Sequence, residues 1–96
     1  MCKIKISLKA QEEIENAEIF YQNISLKLAD KYISTIIKTY NLLEKNPYFN
    51  IRYKNYRAVS ISQFPYLLFF EIDELNQIVY ILSCFHTSQN TDKYPI

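Results

Sequence analysis

No glycine occurs anywhere in these 96 residues. Glycine is the residue that enters the left-handed region of φ, ψ space without steric cost. A chain that lacks it must make its left-handed turns from asparagine or aspartate. It also cannot wrap a phosphate in a glycine-rich loop, which excludes P-loop and dinucleotide-binding sites. Punctuation falls to Asn46-Pro47, to Pro65 and to Asn76.

Between these marks the period of the apolar residues changes. Residues 3–8 alternate polar and apolar, the pattern of a half-buried strand. Ser7 is placed to cap a following helix, and Glu12 and Glu13 suit the positive end of its dipole. Ala10, Ile14, Ala17, Tyr21 and Ile24 then recur at spacings of four and three, one face of an amphipathic helix. After a break at residues 23–25, a second helix carries Ala29, Tyr32, Ile33, Ile36, Tyr40 and Leu43. Asn46-Pro47 stops it, because proline pushes the preceding residue out of the α region. So short a link makes the two helices an antiparallel hairpin.

Residues 48–55 read as an aromatic and basic loop. Residues 56–63, 66–73 and 78–87 read as strands, with Pro65 at a strand start where its missing N–H does least harm. Residues 74–77 form a hairpin turn, with Asn76 the expected left-handed residue. The tail, residues 88–96, is polar.

The expected architecture is a single α+β domain over residues 1–96, in the order β-α-α-β-β-β. The helix hairpin packs on one face of a small antiparallel sheet. Strand parity puts Leu68, Phe70 and Ile72 beneath the helices, with Ile14, Ala17, Tyr32 and Ile36 facing them. It puts Leu67, Phe69, Glu71 and Asp73 on the opposite face. Two apolar residues on that nominally wet face, with Tyr48 and Phe49 nearby, predict a contact surface.

Net charge is +1, which argues against strong independent binding to nucleic acid. The charge is uneven: Glu12, Glu13, Glu15 and Glu18 crowd the first helix, while Arg52, Lys54 and Arg57 cluster mid-chain. Cys2 and Cys84 read as the free thiols of a cytoplasmic protein, with Cys84 filling an apolar strand. Two cysteines and one histidine are too few for a metal site unless carboxylates complete it, so neither metal nor cofactor is expected. The apolar runs are too short to span a bilayer, and the N-terminus lacks the apolar core of a signal peptide.

His86 is the only histidine, hence the only side chain whose unperturbed pKa lies near neutrality. It can act as a general acid or base, or simply pack at a strand end. Arg57 can bind phosphate, stabilise developing charge, or pair with Glu71. Arg52 and Lys54 are loop cations, either solvated or in contact with a target. No Ser/His/Asp triad can be argued from the spacing.

Several features taken in order resemble the RelE/ParE-family toxins of type II toxin–antitoxin systems. They are the Ala17-x-x-x-Tyr21 helix face, Leu28-Ala29, Asn46-Pro47, Arg57, Phe64-Pro65-Tyr66, residues 80–84, and His86-Thr87-Ser88. The likeness runs from the Lys3 strand to about Tyr94. It implies a cytoplasmic bacterial toxin with a cognate antitoxin that folds on binding. Its target would be DNA gyrase or the ribosome.

Ribosome-dependent RNase members use basic residues spread over the sheet and an acid or base near the C-terminus. Arg57 and His86 match such positions, and Tyr94 matches a catalytic tyrosine loosely. Leu67 and Gln89, however, stand where arginines are common, and Val59 stands where a lysine can be. The chain therefore resembles the ParE branch more closely, whose members inhibit gyrase by protein contact.

The leading expectation is a ParE-like toxin whose target-binding residues are Arg57, His86, Leu67, Phe69, Arg52 and Lys54. The alternative is a RelE-like mRNA endonuclease with Arg57 and His86 as the chemical pair. A non-toxic interaction domain is the third reading.

Overall fold

The computed structural model describes residues 2–88. Gln89 and Tyr94 lie outside the described residues. The elements are β1 (Lys3–Ile6), α1 (Leu8–Gln22), α2 (Leu26–Lys45), β2 (Ile51–Tyr53), β3 (Tyr56–Ser60), β4 (Tyr66–Asp73) and β5 (Ile78–His86). They form one five-stranded sheet in the order β1-β5-β4-β3-β2, with both helices on one face.

Two departures from expectation are topological. β1 pairs with β5 in parallel, Lys3 against Ile78 through Ile6 against Ile81, so the sheet is mixed. The long excursion from β1 through both helices to β5 permits this, since parallel neighbours need an extended crossover. The second is β2, a three-residue strand inside the segment expected to be loop. Too short to display a period, it is held by pairing of Tyr53 with Tyr56 and of Ile51 with Arg57.

The helix ends follow the sequence. Ser7 Oγ accepts from the Ala10 N–H at 3.1 Å, and Ser25 Oγ from the Leu28 N–H at 3.3 Å. Asn46 leaves the helix in extended geometry ahead of Pro47. Glu12 and Glu13 lie beyond the first turn of α1, so they do not serve the dipole as expected.

The left-handed residues are not asparagine or aspartate. Among the described residues, φ is positive at Lys54, Gln63 and Gln77. Asn76 is instead tied twice to Asp73, through its N–H at 3.1 Å and its side-chain amide at 2.9 Å, and Gln77 takes the left-handed position. Those bonds also lower the Asp73 pKa, the Asn76 side chain contributing most. A single non-glycine residue tolerates αL when the surrounding hairpin fixes it.

The main core lies between helices and sheet, and parity placed it correctly. Leu68 and Phe70 are fully buried against Ala10, Ile14, Ala17, Tyr32 and Ile36, with Ile72 partly buried beside them. Phe64 drives its ring edge-on against Tyr21 and Tyr32, which ties the loop before β4 to both helices. Ile24 does not join this stripe and is 61% exposed, because the chain has left α1 by then.

The opposite face departs from expectation. Leu67 and Phe69 lie on it but are buried, Phe69 completely. With Phe85 they form a second cluster, against which Tyr53, Tyr56 and Ala58 pack. Parity assigns a side to a residue but is blind to rings delivered from another hairpin. Leu67 and Phe69 are therefore internal packing and not the open contact surface expected of them.

Candidate functional site

The cations of residues 45–70 meet no carboxylate in their own stretch, since none occurs between Glu44 and Glu71. The β2–β3 hairpin presents them along one edge of the sheet. Arg57, opposite Phe70 in the register, projects to the helix side of β3 and is half-buried. Its Nη1 donates to the Phe49 carbonyl at 2.6 Å, and its guanidinium lies 5.5 Å from the centre of the Tyr48 ring. Glu71 falls on the other face, so the alternative Arg57–Glu71 ion pair does not form. Lys54 occupies the β2–β3 turn with Nζ 5.3 Å from the Tyr53 ring centre, and Arg52 is exposed beside it. The hairpin thus brings Arg52, Lys54 and Arg57 together with tyrosines, an arrangement suited to an anionic or polar partner surface.

His86 ends β5, opposite Tyr66 at the start of β4. The two rings meet edge-on, centroids 5.0 Å apart. Nδ1 accepts from the Ser88 N–H at 3.1 Å and lies 2.6 Å from the Ser88 hydroxyl. An amide N–H can only donate, so the proton of the neutral ring sits on Nε2. Burial, and after it the Tyr21 phenol, pushes Tyr66 up to about 12, so Tyr66 stays protonated beside the imidazole.

The pairing register separates Arg57 from His86. They stand two strands apart and four β4 residues apart, which puts their Cα atoms roughly 16 Å from one another. The two residues expected to act as a chemical pair are not brought together. Among the described residues, no group of three His, Cys, Asp or Glu gathers to hold a metal.

A hollow of about 390 Å³ opens beside His86, lined by Glu13, Asn16, Ala17, Phe20, Tyr66 and Cys84. Burial drives the Cys84 thiol up to about 12, which makes it inert at the floor of this space. Glu13 is the residue that sequence reasoning passed over. In the sequence it is one of four glutamates that crowd the first helix. Its Oε1 instead accepts from the Ser83 hydroxyl at 2.9 Å and from the Cys84 N–H at 3.2 Å. Phe20 was also missed, although a signal existed: it is a large apolar residue out of phase with the Ala10-Ile14-Ala17-Tyr21 stripe.

A family model described as the ParE toxin of the type II toxin–antitoxin system, parDE, matches residues 4–91. The chain belongs to the ParE toxin family. No curated protein matches it significantly. Among solved structures it is similar to a chain of the chromosomal ParDE toxin–antitoxin system from P. aeruginosa, at 15% identity and a TM-score of 0.75. The match covers 92% of this chain and 98% of that one. At so low an identity the likeness speaks for the fold alone. In this ParE-family toxin Leu67 and Val59 are both buried, so neither side chain reaches a surface ligand.

Proposed function

We propose that this ParE-family toxin works by protein contact, binding and inhibiting DNA gyrase in the cytoplasm, and that a cognate antitoxin neutralises it. The separation of Arg57 from His86 carries this reading. Cleavage of RNA by a ribose hydroxyl needs a base, an acid and charge stabilisation converging on one phosphate. With Cα atoms roughly 16 Å apart by strand spacing, Arg57 is held by the Phe49 carbonyl and His86 by Tyr66 and Ser88, so the two side chains are anchored apart and do not converge on one phosphate. They can serve a broad protein interface, with Arg57, Arg52 and Lys54 at one edge and His86 at another.

Purified protein should inhibit gyrase supercoiling, and induced cells should filament with DNA damage. Arg57→Ala and His86→Ala should each relieve growth inhibition while leaving the protein folded, with a fall in melting temperature of roughly 4–8 °C for Arg57→Ala, which gives up one hydrogen bond worth about 1 kcal/mol. Primer extension on mRNA from induced cells tests the RelE-like alternative. Codon-phased cuts that vanish in His86→Ala would overturn the gyrase reading. If both variants remain as toxic as the parent, neither residue belongs to the target face.

A further inference from the structure

We infer that the groove between α2 and β3 takes the phosphate backbone of duplex DNA, the duplex that gyrase holds when the toxin binds it. This inference rests on the gyrase reading above and adds DNA to the surface that the toxin recognises. A net charge of +1 conceals a division of charge along the chain. Residues 26–70 hold seven of the eleven cations and two of the ten carboxylates, so this stretch carries +5 and the remainder −4. Four of the seven cations are on α2. Lys27, Lys31, Lys38 and Lys45 fall within about 40° of arc, because steps of four and seven residues return close to the same side of a helix. All four are exposed, and none forms an ion pair among the described residues. Asp30 and Glu44, the carboxylates of α2, lie about 100° and 140° round the helix from Lys31, off that line. The lysines therefore make a straight row about 27 Å long.

The row borders a groove of about 520 Å³, with the end of β3 and the turn after it as the far wall. Lys31, Lys38 and Ser34 line it from the helix, and Ser60, Ser62 and Gln63 from the sheet. The Thr35 and Thr39 hydroxyls beside them donate to helix carbonyls at 2.8 Å, but those of the three serines are exposed and unengaged among the described residues. Lysine, serine and glutamine are side chains that contact phosphate oxygens. The lining also discriminates between anionic partners. An acidic protein surface needs an apolar centre to its interface, and the only apolar side chains here are Leu42 and buried Val59. A single strand is gripped by stacking its bases on aromatic rings, and no ring is among the described residues that line the groove. A duplex turns its phosphates outward and asks only for cations and donors along a line. Four lysines are too few to hold it firmly at a net charge of +1, so the contact counts once gyrase presents the DNA.

The test measures the affinity of the full chain for gyrase alone, for gyrase loaded with a DNA duplex, and for the free duplex at low salt. The parent should bind DNA-loaded gyrase roughly tenfold more tightly than DNA-free gyrase. A Lys31→Gln, Lys38→Gln double variant should lose most of that difference, and the slope of its log affinity against log salt should be shallower by about two. A Lys3→Gln, Lys5→Gln double variant removes the same charge from exposed positions on β1, at the far edge of the sheet, and should behave as the parent does. All four positions are exposed, so melting temperatures should not move. Equal affinity of the parent for gyrase with and without DNA overturns the groove and leaves the gyrase reading intact, as does a difference that survives in the Lys31, Lys38 variant. Equal loss of affinity for both forms of gyrase in that variant overturns the DNA contact and assigns the groove to an acidic protein surface. Parent protein that binds gyrase in neither form overturns the gyrase reading. The free duplex then decides whether the groove binds DNA: weak binding that the Lys31, Lys38 variant lacks upholds it, and no binding overturns it.

Discussion

Glu13→Ala should destabilise the fold far more than Glu12→Ala, although the two are adjacent glutamates on one helix. β1 stops pairing with β5 at Ile81, so beyond that point no strand among the described residues lies beside the outer edge of β5. Glu13 reaches over that edge and accepts from the Ser83 hydroxyl and the Cys84 N–H. Ser83 is fully buried and Cys84 is 4% exposed, so their donors have little access to water once the carboxylate is gone. A hydrogen bond to a charged group contributes roughly 1.5–3 kcal/mol, and a buried donor left unpaired costs roughly 1–3 kcal/mol. Allowing for partial entry of water, the loss should be about 2–4 kcal/mol. For a domain of this size, 3 kcal/mol corresponds to roughly 12–24 °C in melting temperature. Glu13→Gln keeps a carbonyl acceptor and should lose only about 1 kcal/mol. Glu12→Ala touches none of these bonds and should stay within about 0.5 kcal/mol. Urea denaturation of the three variants measures the series. Equal midpoints for Glu13→Ala and Glu12→Ala would refute the role given to Glu13 at the β5 edge.

Phe70→Ala and Phe69→Ala should each cost roughly 3–5 kcal/mol, since both rings are fully buried on opposite faces of β4, while exposed Glu71→Ala should cost far less. A cheap Phe69→Ala in urea melts would restore the open-face reading of that strand. Stability should also fall as pH rises above about 9. Burial raises the Cys84 thiol and the Tyr40 and Tyr66 phenols to about 12, and pushes Tyr32 up further still. The unfolded chain therefore ionises first, near the ordinary values, and the stability these groups hold in full below pH 9 is lost progressively towards pH 12. Urea midpoints at pH 7, 9 and 10.5 follow this, and a flat profile would contradict it. At pH 8 a thiol reagent should label Cys2 and spare buried Cys84 until urea is added; equal labelling of both in the native protein would place Cys84 at the surface.

The sequence by itself determined what is local or periodic. Ser7 and Ser25 cap their helices because a side-chain oxygen meets a backbone N–H three residues on, and Pro47 ends α2 by a steric rule between neighbours. Parity assigned Leu68 and Phe70 to the core, because side chains alternate along any strand. The resemblance carried by Asn46-Pro47, Phe64-Pro65-Tyr66 and His86 led to the right family, since motif order survives where identity does not. Tertiary structure alone decided the rest, because it depends on residues far apart in the chain. β1 chose the parallel edge of β5. Tyr53 and Tyr56 came to pack against Leu67 and Phe69. Gln77 became left-handed once Asp73 held Asn76. Arg57 and His86 were parted by register, and Glu13 was singled out from Glu12 by a strand edge some seventy residues away. None of these pairings leaves a periodic trace, because each is fixed by how a twisted sheet and a helix hairpin meet in space.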